Sequence, residues 1–182
     1  MRAVVALLLV AGIARADLRV PEPRCPVAPL RLMIRAPGRT PLPVVTATAD
    51  GHVRLGMLGA EAKAKIDGRG CVIGDDGLWT ALTSDGNVWT AHEIFAIRGG
   101  AIQLAAGRTM RIAADGTVET LDAQGHIEPP TYGGFFFEGY REGTSCAAKL
   151  LLVTWLSAMP SMAVVDGAKP LPPPKGVCAI SK

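Results

Sequence analysis

Asp75–Glu93 reads DDGLWTALTSDGNVWTAHE, and within it one phrase is written twice: Gly77-Leu78-Trp79-Thr80-Ala81, then Asn87-Val88-Trp89-Thr90-Ala91. Each copy follows an Asp-Gly or its continuation. A calcium loop of the D-x-D-x-D-G type needs alternating oxygen ligands, and this stretch lacks the alternation. A propeller Asp-box needs a residue between Asp and Gly, and here Asp85 and Gly86 are adjacent. What remains is a hairpin: strands Leu78–Leu82 and Val88–His92 joined by Ser84-Asp85-Gly86-Asn87. Gly accepts positive φ at such a turn and Asp tolerates it. Trp79 and Trp89 are then cross-strand or core aromatics. They are also the candidate binding residues, because an exposed Trp can stack on a carbohydrate.

The same punctuation recurs at Asp50-Gly51, Asp67-Gly68, Asp76-Gly77, Asp115-Gly116, Gln124-Gly125 and Gly99-Gly100. The segments between are short, rich in Val, Ile, Thr and Trp, and partly alternate at period two. That pattern predicts a mainly β fold, an antiparallel meander of short strands closed as a barrel or a sandwich. Arg98-Gly99-Gly100-Ala101 reads as a two-residue hairpin. The Asp-Gly spacing is too uneven for a stacked solenoid.

Proline sets the predicted boundaries. Pro21, Pro23, Pro26, Pro29, Pro37, Pro41 and Pro43 crowd one end, and Pro170, Pro172, Pro173 and Pro174 the other. No proline interrupts Val44–Glu128. Proline removes a ladder donor, so the expected β core is 44–140, flanked by a Pro-rich arm over 17–43 and a Pro-rich tail over 167–182. Residues 141–166 have helix-forming composition, with Thr144 or Ser145 as the cap and Pro160 as the break. Leu150–Val165 carries no charge, but it is short for a membrane span and contains Thr154, Ser157 and Ser161 on one helical face. The favoured reading is a helix docked on the sheet with that polar stripe in water. A single-pass tether through 150–165 is the less favoured one.

The first sixteen residues, MRAVVALLLVAGIARA, have a basic start, an apolar stretch and a small-x-small end, which predicts a signal peptide cleaved after Ala16 and a periplasmic or secreted location. Losing Arg2 and Arg15 from 19 basic residues leaves 17 against 16 acids. A near-neutral chain with scattered cations excludes a nucleic-acid binder. Cys25, Cys71, Cys146 and Cys178 form an even set in an exported chain, which suggests two disulfides. Expecting each bond to tie an arm to the core pairs Cys25 with Cys71 and Cys146 with Cys178.

No nucleophile elbow, phosphate loop or H-x-x-x-H element is present. No catalytic residue, metal ligand or cofactor follows from the sequence. His52 and His126 each follow a turn glycine, and only convergence with His92 at one rim would make a zinc site. The reading is an exported, non-catalytic structural or binding protein of the cell envelope, with another envelope component as its candidate partner. The alternative is an extracytoplasmic hydrolase whose site is assembled from β-turn residues.

Overall fold

The computed structural model describes residues 25–57, 60–75, 77–83, 85–130, 133–158 and Cys178. The signal segment, most of the C-terminal tail and Ser161 lie outside them.

Six turns share one five-residue form: Thr48–His52, Asp67–Cys71, Gly74–Leu78, Thr83–Asn87, Ala113–Thr117 and Asp122–His126. In each, the first N–H donates to the fifth C=O, and the N–H of a glycine at the fourth position donates back to the first C=O, at 2.7–3.4 Å. The six glycines (Gly51, Gly70, Gly77, Gly86, Gly116 and Gly125) have φ between +79° and +97°. This is the bond pattern of a type I turn closed by a glycine bulge, whose twist suits antiparallel strands. In the Asp67 turn the left-handed residue is Gly70, not Gly68. The Gly99-Gly100 hairpin is the two-residue kind, both glycines having positive φ, with Arg98 facing Ala101.

Space around these glycines ranks them. A Cβ on Gly116 would lie 2.6 Å from the Phe137 carbonyl oxygen and 2.9 Å from Tyr140 Cβ, whereas one on Gly86 meets nothing within 4 Å. Gly86→Ala should therefore cost only the left-handed strain, about 1 kcal/mol. Gly116→Ala adds a clash with backbone and should cost about 3 kcal/mol. Urea unfolding of the two variants checks the ranking.

The turns connect thirteen strands: β1 (Leu30–Ile34), β2 (Leu42–Ala47), β3 (His52–Met57), β4 (Ala60–Ile66), β5 (Cys71–Gly74), β6 (Trp79–Leu82), β7 (Val88–Thr90), β8 (Ile94–Phe95), β9 (Ile97–Arg98), β10 (Ala101–Gln103), β11 (Thr109–Ile112), β12 (Thr117–Leu121) and β13 (Phe135–Glu138). Their order in the sheet is β8-β7-β6-β5-β4-β3-β2-β1-β13-β12-β11-β10-β9. Every pairing but β1 with β13 joins neighbours in sequence. The two ends of the sheet, β8 and β9, are separated only by Ala96, whose carbonyl accepts from the Gln103 N–H at 2.8 Å. The meander thus bends into a nearly closed barrel, a form that removes exposed sheet edges.

The sheet begins inside the predicted N-terminal arm. Pro26 and Pro29 precede β1, and Pro37 lies in the β1–β2 loop. Pro43 faces Met33 beside a register shift between Leu32 and Met33. Proline is tolerated at such an irregularity because the ladder there is already broken. Proline density therefore misplaces the core boundary at Val44.

Strand residues alternate in and out. Leu30, Leu32, Val45, Val53, Leu55, Ile66, Val72, Val88, Ile102, Val118 and Phe137 are buried inside. Arg31, Arg54, Glu61, Lys63, Lys65, Arg111 and Glu138 are exposed on the outer wall. A lipid-facing barrel has the opposite polarity.

The helix α1 (Ser145–Ala158), led in by a 3-10 turn over Glu142–Thr144, fills the interior. Ala147, Ala148 and the six consecutive residues Leu150–Trp155 are all buried. A helix buried around its whole circumference is enclosed rather than laid on a surface. This corrects the expected polar stripe in water. Thr154 is buried, its Oγ1 donating to the Leu150 carbonyl at 2.8 Å, and Ser157 Oγ donates to the Thr154 carbonyl at 3.0 Å. Hydroxyls that bond the preceding turn of their own helix can enter an apolar interior.

The cysteines form two disulfides, Cys25–Cys146 and Cys71–Cys178, not the pairs expected from sequence. The barrel wall is the reason. Cys25 and Cys146 belong to the interior cluster around α1. Cys71 alternates with the inward Val72 and points out, where Cys178 joins it beside Trp79, Ala81 and Ala91. Among the described residues no helix is long and apolar enough to cross a membrane. That and the disulfides are compatible with an extracytoplasmic location.

Candidate functional site

Antiparallel connectivity sorts the turns to two rims. Thr48–His52, Asp67–Cys71, Thr83–Asn87, Gly99-Gly100 and Ala113–Thr117 lie at the lower rim, where α1 begins. The β1–β2 loop, the turn closed by Gly77, 91–93, 104–108, 122–130 and 133–134 lie at the upper rim, where α1 ends.

The wall opens at the upper rim. β12 pairs with β13 only through Thr117 with Phe136 and Val118 with Phe135. Above that, β12 takes another partner: the Glu128 N–H donates to the Thr120 carbonyl at 2.8 Å, and Leu121 bridges Ile127. β13 turns toward β1, the Arg35 N–H donating to the Gly134 carbonyl at 2.9 Å. The strands splay, and a cleft of about 390 Å³ forms between them. Ligand sites typically measure about 300–1,000 Å³.

Leu104, Met110, Val118 and Phe135 give the cleft an apolar floor. The Phe135 ring packs on Trp155 of α1, their centroids 4.7 Å apart. Glycine permits the fold at its edge: a Cβ on Gly133, at φ +82°, would lie 2.5 Å from the Arg35 carbonyl oxygen. The charged groups at the rim are already partnered. Arg108 holds Glu128 through two hydrogen bonds, Nε to Oε1 at 2.9 Å and Nη2 to Oε2, and Glu128 pushes the Arg108 guanidinium further up from its ordinary value. Arg111 Nε lies 2.6 Å from Glu119. Arg35 sits 4.4 Å over the Phe136 ring. The arrangement suits a largely apolar ligand met at its edge by ion pairs.

Trp79 and Trp89 lie elsewhere, on the outer wall. Trp79 faces Ile73 across β5 and β6, and Trp89 faces Ala81 within the hairpin expected from sequence. Trp79 is buried. Trp89 is half-buried, and its Nε1 is enclosed with no hydrogen-bond partner among the described residues. Neither lines the cleft. The histidines do not converge: His52 stands at the lower rim 3.5 Å from Asp50, and His126 at the upper rim 3.2 Å from Asp122. No group of three potential metal ligands occurs among the described residues. Sequence reasoning missed the cleft, although Pro129-Pro130 and Gly133-Gly134 mark where the pairing changes.

The shifted carboxylates belong to turns. The Thr48 hydroxyl holds Asp50, and the Thr83 hydroxyl holds Asp85, below the ordinary carboxylate value. Backbone N–H groups do the same for Asp115, from Thr117 at 2.9 Å, and for Asp122, from His126 at 2.8 Å. Because the folded values are lowered, these groups stabilise the fold above the unfolded value near 3.8 and lose that contribution as pH falls through the lowered values. The melting temperature should therefore fall as pH drops below about 4. Asp115→Asn with Asp122→Asn should flatten the fall.

No protein-family model, no curated protein and no solved structure matches this chain.

Proposed function

We propose that this chain is an exported, non-catalytic binding module of the cell envelope, released by cleavage after Ala16 into the periplasm or medium, with its ligand seated between β12 and β13. The observation that carries the reading is the cleft, with its apolar floor and ion-paired rim. Oxidised cysteines and the charged outer wall agree with it. A hydrolase using the cleft carboxylates is less well supported. The two carboxylates there, Glu119 and Glu128, are each engaged by a guanidinium rather than turned to the cleft as a catalytic pair.

Nile red, a neutral apolar dye, tests the site. Its emission should rise on binding the native protein, and Ile127→Glu should weaken binding severalfold without changing the melting temperature, because Ile127 lines the cleft and is 57% exposed. Equal binding by wild type and variant would remove the cleft from the proposal. Alkaline carbonate extraction tests the location: the protein should leave the pellet, and retention there would mean a membrane-tethered form.

A further inference from the structure

A second cavity lies at the opposite, lower rim, between α1 and strands β6–β9. It measures about 240 Å³ and is lined by Leu82, Val88, Ile97, Leu150, Gly86 and Cys146, with Lys149 at its edge. The side-chain lining is apolar except for that one ammonium. Lys149 is half-buried and makes no hydrogen bond or ion pair with any described residue. Its Nζ reaches the Gly99-Gly100 hairpin, 3.8 Å from where a Cβ on Gly100 would stand.

Two features of this ammonium favour an anionic ligand. Helical side chains tilt toward the N-terminus, so Lys149 projects over the first turn of α1. A helix N-terminus carries partial positive charge and disfavours a cation. The carboxylate in the adjoining turn, Asp85, is already engaged by Thr83 and by both the amide and the backbone N–H of Asn87. Arg98, at the same rim, is turned to the Asn87 side chain and the Ile97 carbonyl. An incoming anion would neutralise Lys149 and accept from an ammonium that has no partner among the described residues.

We propose that this cavity is a binding site for a monoanionic amphiphile with a short alkyl chain, such as a fatty-acid carboxylate. Lys149 receives the carboxylate, and Leu82, Val88, Ile97 and Leu150 cover the chain. The site is separate from the cleft between β12 and β13, and it stands or falls independently.

Isothermal titration calorimetry of the full mature chain with octanoate, octanol and octylamine is the test. Octanoate should bind about tenfold or more tighter than octanol, the usual scale for a hydrogen bond to a charged group, and octylamine weakest of the three. Lys149→Met keeps the aliphatic stem and should lose that advantage, so that octanoate binds no better than octanol. Ile97→Phe fills the cavity and should abolish octanoate binding at an unchanged melting temperature, which tests the site even if the Lys149 variant folds poorly. Ile127→Glu, in the other cleft, should leave octanoate binding intact. Octanoate binding no tighter than octylamine, an unaffected Lys149→Met variant, or no heat with octanoate would each overturn the proposal.

Discussion

Leu151→Ala should lower stability by about 4 kcal/mol, and Leu151→Lys should abolish cooperative unfolding altogether. Leu151 is 0% exposed, within the six-residue stretch of α1 that the barrel encloses. The cost of a buried Leu→Ala change runs from about 2 to 5 kcal/mol, depending on how far the surroundings collapse into the void. A nearly closed barrel collapses little, because its wall is held at fixed spacing by hydrogen-bonded ladders on both sides of every strand except the two at the ends of the sheet, β8 and β9. The expected cost therefore lies toward the upper end. A lysine at 151 has no buried acid to pair with among the described residues and is enclosed by the wall. The sheet must open to solvate it. Urea unfolding followed by circular dichroism measures both. Leu42→Ala, at 59% exposure on the upper rim, is the control and should change stability by less than about 0.5 kcal/mol. A Leu151→Ala cost as small as the control's would mean that α1 is not enclosed.

The hairpins were legible because each announces itself within five residues. Glycine at Gly51, Gly86, Gly116 and Gly125 marks a backbone that other residues adopt only with strain, and the alternation on either side says which residues point inward. Closure was not legible. The pair that closes the barrel, β1 with β13, sets Leu32 against Phe137, and nothing local to either strand names the other. Barrel and sandwich therefore read alike. Proline hid β1 and the start of β2, because a register shift at Leu32/Met33 makes room for Pro43. The helix was recognisable by composition, but the spacing of Thr154, Ser157 and Ser161 in the sequence suggested a wet face. It could not reveal that Thr154 and Ser157 bond their own helix. The cleft comes from pairing that fails above Val118, and a failed pairing leaves only a faint trace in sequence. The disulfide partners depended on which side of the wall each cysteine occupies, a property of the closed sheet.

Cys25→Ala with Cys146→Ala should be the most destabilising paired change outside the helix core. The bond closes a sequence separation of 121 residues. Loop-closure entropy in the unfolded chain then contributes about 5 kcal/mol. The bond between Cys71 and Cys178 closes 107 residues, and the same entropy rule gives it nearly the same value. The two should nevertheless differ, because the rule counts only what the unfolded chain gains when the bond is removed. Cys25 stays fixed in the fold without its sulfur, buried to 0% with its N–H on the Gly68 carbonyl. Cys146 stays fixed as part of α1. The folded state gains no freedom to offset the loss. Cys178 lies on the outer wall in a smaller buried cluster, with Cys71, Trp79, Ala81 and Ala91, than the one that holds Cys25, so less packing among the described residues fixes that end without the bond. Cys71→Ala with Cys178→Ala should therefore cost less, about 2 kcal/mol. Urea unfolding of both double variants against wild type gives the order directly. If the outer bond proved the costlier, stability would depend more on what Cys178 anchors to the wall than on the tie between the first strand and the enclosed helix.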